Sequence, residues 1–198
     1  MHSGVQKVLL VDNEDSFTYN LVQLLEELGT EVFLVPGRWE HMEDQFIATG
    51  IVFSPGPGIP SDFPMMKHLL QTATEVPILG ICLGMQAIAE YCGAQLFKQQ
   101  HVQHGQLKKV HKLATATRLL SSLPDEFEVG LYHSWAVFPE LPTAVLEPTC
   151  WSEDGVLMGI RMNDRPVEGL QFHPESFLTK VGSQIMSNWL ASLQHSSK

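Results

Sequence analysis

The chain has 198 residues, with 12 Lys plus Arg against 22 Asp plus Glu and a formal net charge of −10. That length suits one sizeable core without a dividing low-complexity linker, so a single domain over residues 1–198 is expected. The acidic balance argues against nucleic acid as a partner, and no apolar run approaches the roughly 20 residues that span a bilayer.

No basic segment followed by an apolar stretch announces secretion. The three cysteines lack C-x-x-C spacing, which offers neither a disulfide framework nor a zinc site. No metal and no cofactor are therefore expected, and the setting is read as reducing and cytoplasmic.

Residues 5–11 read as a buried strand. Phe17, Leu21, Leu24, Leu25 and Leu28 then mark one face of a helix closed by Gly29. Residues 31–35, 51–54 and 77–81 read as further strands with helical patterns between them, and residues 85–92 as a helix closed by Gly93. Alternating strands and helices predict an α/β fold: a mostly parallel open sheet flanked by helices, with ligands at the carboxyl ends of its strands. After about Ala94 the pattern changes to short strands at 95–98, 106–112, 129–138, 156–162 and 167–172, with a turn at 163–166. A small antiparallel extension is expected there, followed by a closing helix over 184–193. Lys108, Lys109 and Lys112 form a small basic cluster, explained by a solvated strand face.

One turn in this frame carries chemistry. Gly80-Ile81-Cys82-Leu83-Gly84 joins the fourth strand to the helix after it. Flanking glycines would let the backbone bend sharply and lift Cys82 out of the sheet edge, as in a nucleophile elbow. The competing reading is a small buried hydrophobe, the ordinary fate of a free cysteine. A catalytic thiol needs a base or a positive environment, and the helix N-terminus near Leu83 supplies part of that field. Among nine histidines, His173 stands out because Glu175 follows two residues later; in extended backbone both side chains would point the same way. Cys82, His173 and Glu175 would then form a triad, the alternative being a solvated edge-strand pair. Cys92 and Cys150 are read as structural.

Gly80 to Gln86 and Gly169 to Ser176 together resemble the two signature segments of the class I, triad-type glutamine amidotransferases. Three further segments agree: Ser54-Pro55-Gly56-Pro57-Gly58 resembles the oxyanion and glutamine loop, and Tyr132-His133-Ser134-Trp135 the substrate strand. Val11 to Leu21 resembles the start of one branch, the glutaminase component II of anthranilate and aminodeoxychorismate synthases. The resemblance runs from about Val8 to about Leu190. It implies a flavodoxin-like core, hydrolysis of L-glutamine, and delivery of ammonia to a separate chorismate-using synthase subunit. It also implies glutamine or oxyanion contacts at Gly56, Pro57, Gly58, Leu83, Gln86, Ser134 and Trp135. The Gly58 and Leu83 N–H groups, if convergent, would form the oxyanion hole. His133 is read equally as a structural hydrogen bond or a catalytic group.

Four residues depart from the branch pattern: Met85, Gln106, Leu131 and Trp135. Other readings stand beside the main one. They are an amidotransferase feeding an imidazole glycerol phosphate, carbamoyl phosphate or GMP synthase, a regulatory subunit with a vestigial site, and a cysteine hydrolase acting without a partner.

Overall fold

In a computed structural model, described over residues 5–42, 47–99, 104–115 and 118–193, a nine-stranded sheet organises the chain. In chain order the first half runs β1 (Lys7–Asp12), α1 (Thr18–Glu27), β2 (Glu31–Pro36), β3 (Gly50–Phe53), α2 (Pro64–Thr72), β4 (Ile78–Ile81) and α3 (Leu83–Tyr91). The second half runs β5 (Leu96–Lys98), β6 (Gln106–Lys112), α4 (Arg118–Ser121), β7 (Glu126–Leu131), β8 (Trp135–Val137), β9 (Leu146–Ser152), β10 (Leu157–Met162), β11 (Val167–Leu170) and α5 (Gly182–Leu193).

The sheet order is β2-β1-β3-β4-β11-β10-β9-β6-β7. Strands β2, β1, β3, β4 and β11 are parallel, and β10, β9, β6 and β7 continue the same sheet in antiparallel pairing. The predicted mostly parallel sheet with an antiparallel extension is therefore observed. The extension is continuous with the parallel strands, and β5 and β8 make a separate two-stranded sheet.

Side-chain alternation along the central strands divides the interior. Val8 and Leu10 of β1 join Leu21, Leu25, Trp189 and Leu190 on the α1/α5 face. Leu9 and Val11 join Phe53, Met66, Leu70 and Ile88 on the α2/α3 face. Because both faces are covered, β3 and β4 are buried at every residue, which is why they read as uninterrupted apolar runs. No helix among the described residues is long and apolar enough to cross a membrane.

Four local expectations fail. No helix lies between β2 and β3 among the described residues, although a helical pattern is expected there. The single strand expected over 129–138 is two: β7 ends at Leu131, and after Tyr132-His133-Ser134 the chain enters the other sheet as β8. Strand β9 is absent from the sequence reading, and it carries Pro148, a residue that cannot donate inside a sheet. It is tolerated because β9 pairs with β6 only over Cys150–Ser152, leaving Pro148 beyond that second neighbour. The strand expected over 167–172 ends at Leu170, so His173 follows the sheet instead of extending it.

Candidate active site

Cys82 occupies the single residue between β4 and α3, with φ 51° and ψ −100°. Positive φ in a non-glycine residue stores on the order of 1–3 kcal/mol, retained only where the surroundings enforce it. The enforcement is visible: the Cys82 N–H donates to the Leu170 carbonyl at 2.7 Å, and its carbonyl accepts from Gln86 N–H at 3.1 Å. The flanking glycines are required by contact. A Cβ on Gly80 would overlap the carbonyl of Gly84, and a Cβ on Gly84 would lie 2.6 Å from Phe53 Cβ. Cys82 is 6% exposed. Leu83 opens the helix, so its N–H has no acceptor within the helix.

His173 reaches the elbow from the segment after β11. Its Nδ1 lies 2.7 Å from Glu175 Oε1, with both side chains withdrawn from solvent. The two meet across a turn, not along extended backbone as the spacing suggested: Ser176 N–H donates to the His173 carbonyl at 3.2 Å. Pro174, disfavouring continued pairing, starts that turn. Thr179 fastens it, its hydroxyl donating to the His173 carbonyl at 2.7 Å and accepting from Gly130 N–H at 2.9 Å. Phe17 and Tyr132 pack their rings against the imidazole at centroid distances of 5.3 and 5.0 Å. Burial alone would push the His173 pKa down, but the Glu175 carboxylate and the neighbouring Cys82 sulfur hold it well above the ordinary histidine range. Nε2 has no hydrogen-bond partner among the described residues.

The loop after β3 comes to the same end of the sheet. Ser54 is tied to Asn13 twice, its hydroxyl accepting from Asn13 N–H at 2.9 Å and its carbonyl from Asn13 Nδ2 at 2.8 Å. Gly56 lies against the elbow, since a Cβ there would stand 2.5 Å from Leu83 Cδ2. Pro57 and Gly58 are exposed, and Gly58, at φ 74°, turns toward the Asp62 carboxylate. The structure thus brings Gly56 to Leu83 and sets Gly58 facing Asp62.

Gln86 does not point outward as a helix-surface residue would. It is buried, and its Nε2 donates to the Trp135 carbonyl at 2.9 Å and to Gln171 Oε1 at 3.2 Å. His133 Nδ1 donates to that same carbonyl at 2.8 Å, and burial pushes this histidine's pKa down to about 4. His133 therefore holds backbone, the structural of the two roles open to it. Ser134 and Trp135 are half-buried, and Ser134 joins the backbone of the small sheet through Gln99 N–H at 2.8 Å.

Gln171 is a site neighbour that the sequence reading does not single out. It is fully buried and its Nε2 lies 3.5 Å from Cys82 Sγ. The available signal is a polar residue flanked by the apolar Leu170 and Phe172. Two departures from the branch pattern find a place in the core. Met85 is buried against Gly169, where a Cβ would stand 2.9 Å from Met85 Cβ and Cγ. Leu131 is buried on the α1/α5 face. A groove of about 580 Å³ between Pro60, Pro64, Met66, Ala87, Glu90 and Tyr91 includes none of these site residues.

Comparison with known proteins adds an independent line. Anthranilate synthase component 2 of Thermus thermophilus is 40% identical over 193 residues, covering 94% of this chain and 92% of that protein. The aminodeoxychorismate/anthranilate synthase component 2 of Bacillus subtilis is 33% identical over 190 residues, covering 92% of this chain and 95% of that one. Among solved structures, a Thermoplasma acidophilum protein provisionally assigned to GMP synthase superposes with TM-score 0.85 at 28% identity, covering 98% of this chain and 96% of its own. Residues 9–193 match the family described as glutamine amidotransferase class-I, and the chain belongs to that family.

Proposed function

We propose that this chain is the glutaminase subunit of a chorismate-using synthase, with Cys82 as nucleophile, His173 as general base and acid, and Glu175 as the group that orients and charges the imidazole. The observation that carries the reading is the buried 2.7 Å His173–Glu175 contact beside a cysteine held at φ 51° on an elbow. His173 Nε2 takes the thiol proton, and the resulting imidazolium is balanced by Glu175. The thiolate attacks the side-chain carbonyl of L-glutamine, and the N–H groups of Leu83 and Gly58 steady the oxyanion. On collapse the C–N bond breaks, His173 returns the proton, and ammonia leaves a γ-glutamyl thioester. Water then cleaves the thioester to glutamate and regenerates the thiol.

Ser134 and Trp135 offer backbone at the edge of the small sheet for the amino and carboxylate groups of glutamine. The sheet runs through both halves of the chain, which supports one domain over residues 1–198. Ammonia passes to a separate component I that supplies the chorismate chemistry, and the acidic balance and apolar profile favour a cytoplasmic protein without nucleic acid. The second reading, delivery to a GMP synthase, is favoured by the Thermoplasma acidophilum likeness; the higher identities to anthranilate synthase components favour chorismate.

Replacing Cys82 with Ser tests the chemistry: the variant should release no ammonia from glutamine, and normal turnover would refute the assignment.

A further inference from the structure

Three side-chain contacts connect the substrate strand to the sulfur, and their polarity can be derived. The chain of contacts starts at the Trp135 carbonyl, which can only accept. Gln86 must therefore present its NH₂ end to it, at 2.9 Å. The second proton on the same Nε2 points to Gln171 at 3.2 Å, so Gln171 must present its carbonyl oxygen there. The other end of Gln171, 3.5 Å from Cys82 Sγ, is then its NH₂ group. One backbone carbonyl thereby fixes the orientation of two amides and sets an N–H donor, not a carbonyl oxygen, against the nucleophile.

We infer that Gln171 is a catalytic donor to the Cys82 thiolate, held in its donating orientation by Gln86 and the Trp135 carbonyl. The inference rests on the reading of Cys82 as nucleophile. A donor to the anion favours the charged form and disfavours the neutral thiol. Gln86 acts through Gln171 and is a positioning residue. The Trp135 carbonyl is held a second time by His133, so the relay ends on a doubly fixed point of β8. The titratable groups around the sulfur are His173, with Glu175 behind it, and His133, which interacts with His173. His173 supplies the proton acceptor and the positive charge; Gln171 adds a neutral donor.

The test is the pH profile of Cys82 alkylation by iodoacetamide, read by mass spectrometry on the full chain. Gln171→Met keeps the length and removes the donor. Its profile should move to higher pH by about one unit, making alkylation about tenfold slower on the rising limb. Gln86→Met frees the Gln171 amide to turn over and should move the profile the same way by less. The double variant should match Gln171→Met, because both changes remove one relay. An unchanged profile in folded Gln171→Met, or shifts that add in the double variant, would overturn the inference. Should Gln171→Met fail to fold, a Gln86→Met profile identical to the parent's would do so. Alkylation requires neither glutamine nor a synthase. A chain that shifts as described yet hydrolyses no glutamine would defeat the proposed function alone; one that hydrolyses glutamine without the shift would defeat this inference alone.

Discussion

Replacing Glu175 with Gln removes one buried negative charge while leaving an oxygen that can still accept from His173 Nδ1. Another buried histidine gives the scale of the loss. His133 is a buried histidine whose Nδ1 meets a backbone carbonyl in place of a carboxylate, and its pKa falls from 6.5 to about 4. That difference corresponds to about 3 kcal/mol against the imidazolium. His173 is buried as deeply but is held above the ordinary range, with Glu175 foremost among the groups that raise it. Glu175→Gln moves His173 toward the condition of His133, with the Cys82 sulfur as the raising group that remains, so the imidazolium that forms with the thiolate loses stabilisation of that order. The expected cost in glutamine hydrolysis is roughly 300-fold at neutral pH. Ammonia release, measured with the synthase subunit present and with folding checked by thermal unfolding, is the assay. A folded variant working within about threefold of the parent rate would refute the argument, because that is under about 1 kcal/mol.

Other outcomes follow from the same geometry. His133, neutral when folded, loses stability for the fold as pH falls from about 6.5 toward 4, whereas His173 loses it as pH rises above its ordinary value. Thermal midpoints measured against pH should therefore fall on the acid side, and His133→Gln should flatten that fall by roughly 6–12 °C; an unchanged slope contradicts the burial assignment. Gly84→Ala places a Cβ 2.6 Å from Phe53 Cβ. Differential scanning calorimetry should show a loss of about 1–3 kcal/mol from overpacking, and a wild-type midpoint would show that the elbow has room. Burial pushes Cys92 up to about 11 and Cys150 up to about 12. Iodoacetamide at pH 7 should therefore modify Cys82 and spare these two, as peptide mapping would reveal.

The parallel half of the fold is legible because each βα unit is punctuated. Apolar strands end in Asp12, run into Ser54-Pro55-Gly56 or carry Gly80 just before their end, and helices end near Gly29 and Gly93. The antiparallel half is harder to read because its turns lack that chemistry. Tyr132-His133-Ser134 carries no Gly or Pro, so β7 and β8 read as one strand although they lie in different sheets. Strand β9 can hold Pro148 because β6 pairs with it only over Cys150–Ser152, and a sequence does not reveal where a neighbouring strand runs out.

The candidate site divides in the same way. Cys82 announces itself through local backbone chemistry, the glycines around it being needed for contacts made within the elbow. The His173–Glu175 spacing is visible, but the turn that joins the pair depends on Thr179 and Gly130, which lie outside the motif. Gln86 and Gln171 carry no signal of their connection, because a polar side chain on a helix or in a strand reads by default as facing water. Their roles depend on which carbonyl they meet, and that is a property of packing between β8, α3 and the segment after β11.

The most direct measurement is glutaminase activity of the purified chain, alone and then with chorismate plus a chorismate-using synthase, with Cys82→Ser as control. The account predicts strong stimulation by the synthase, loss of activity in the Cys82→Ser variant, and an aromatic product that names the pathway. Full hydrolysis by Cys82→Ser, or no hydrolysis by the parent with any chorismate-using partner, would contradict it.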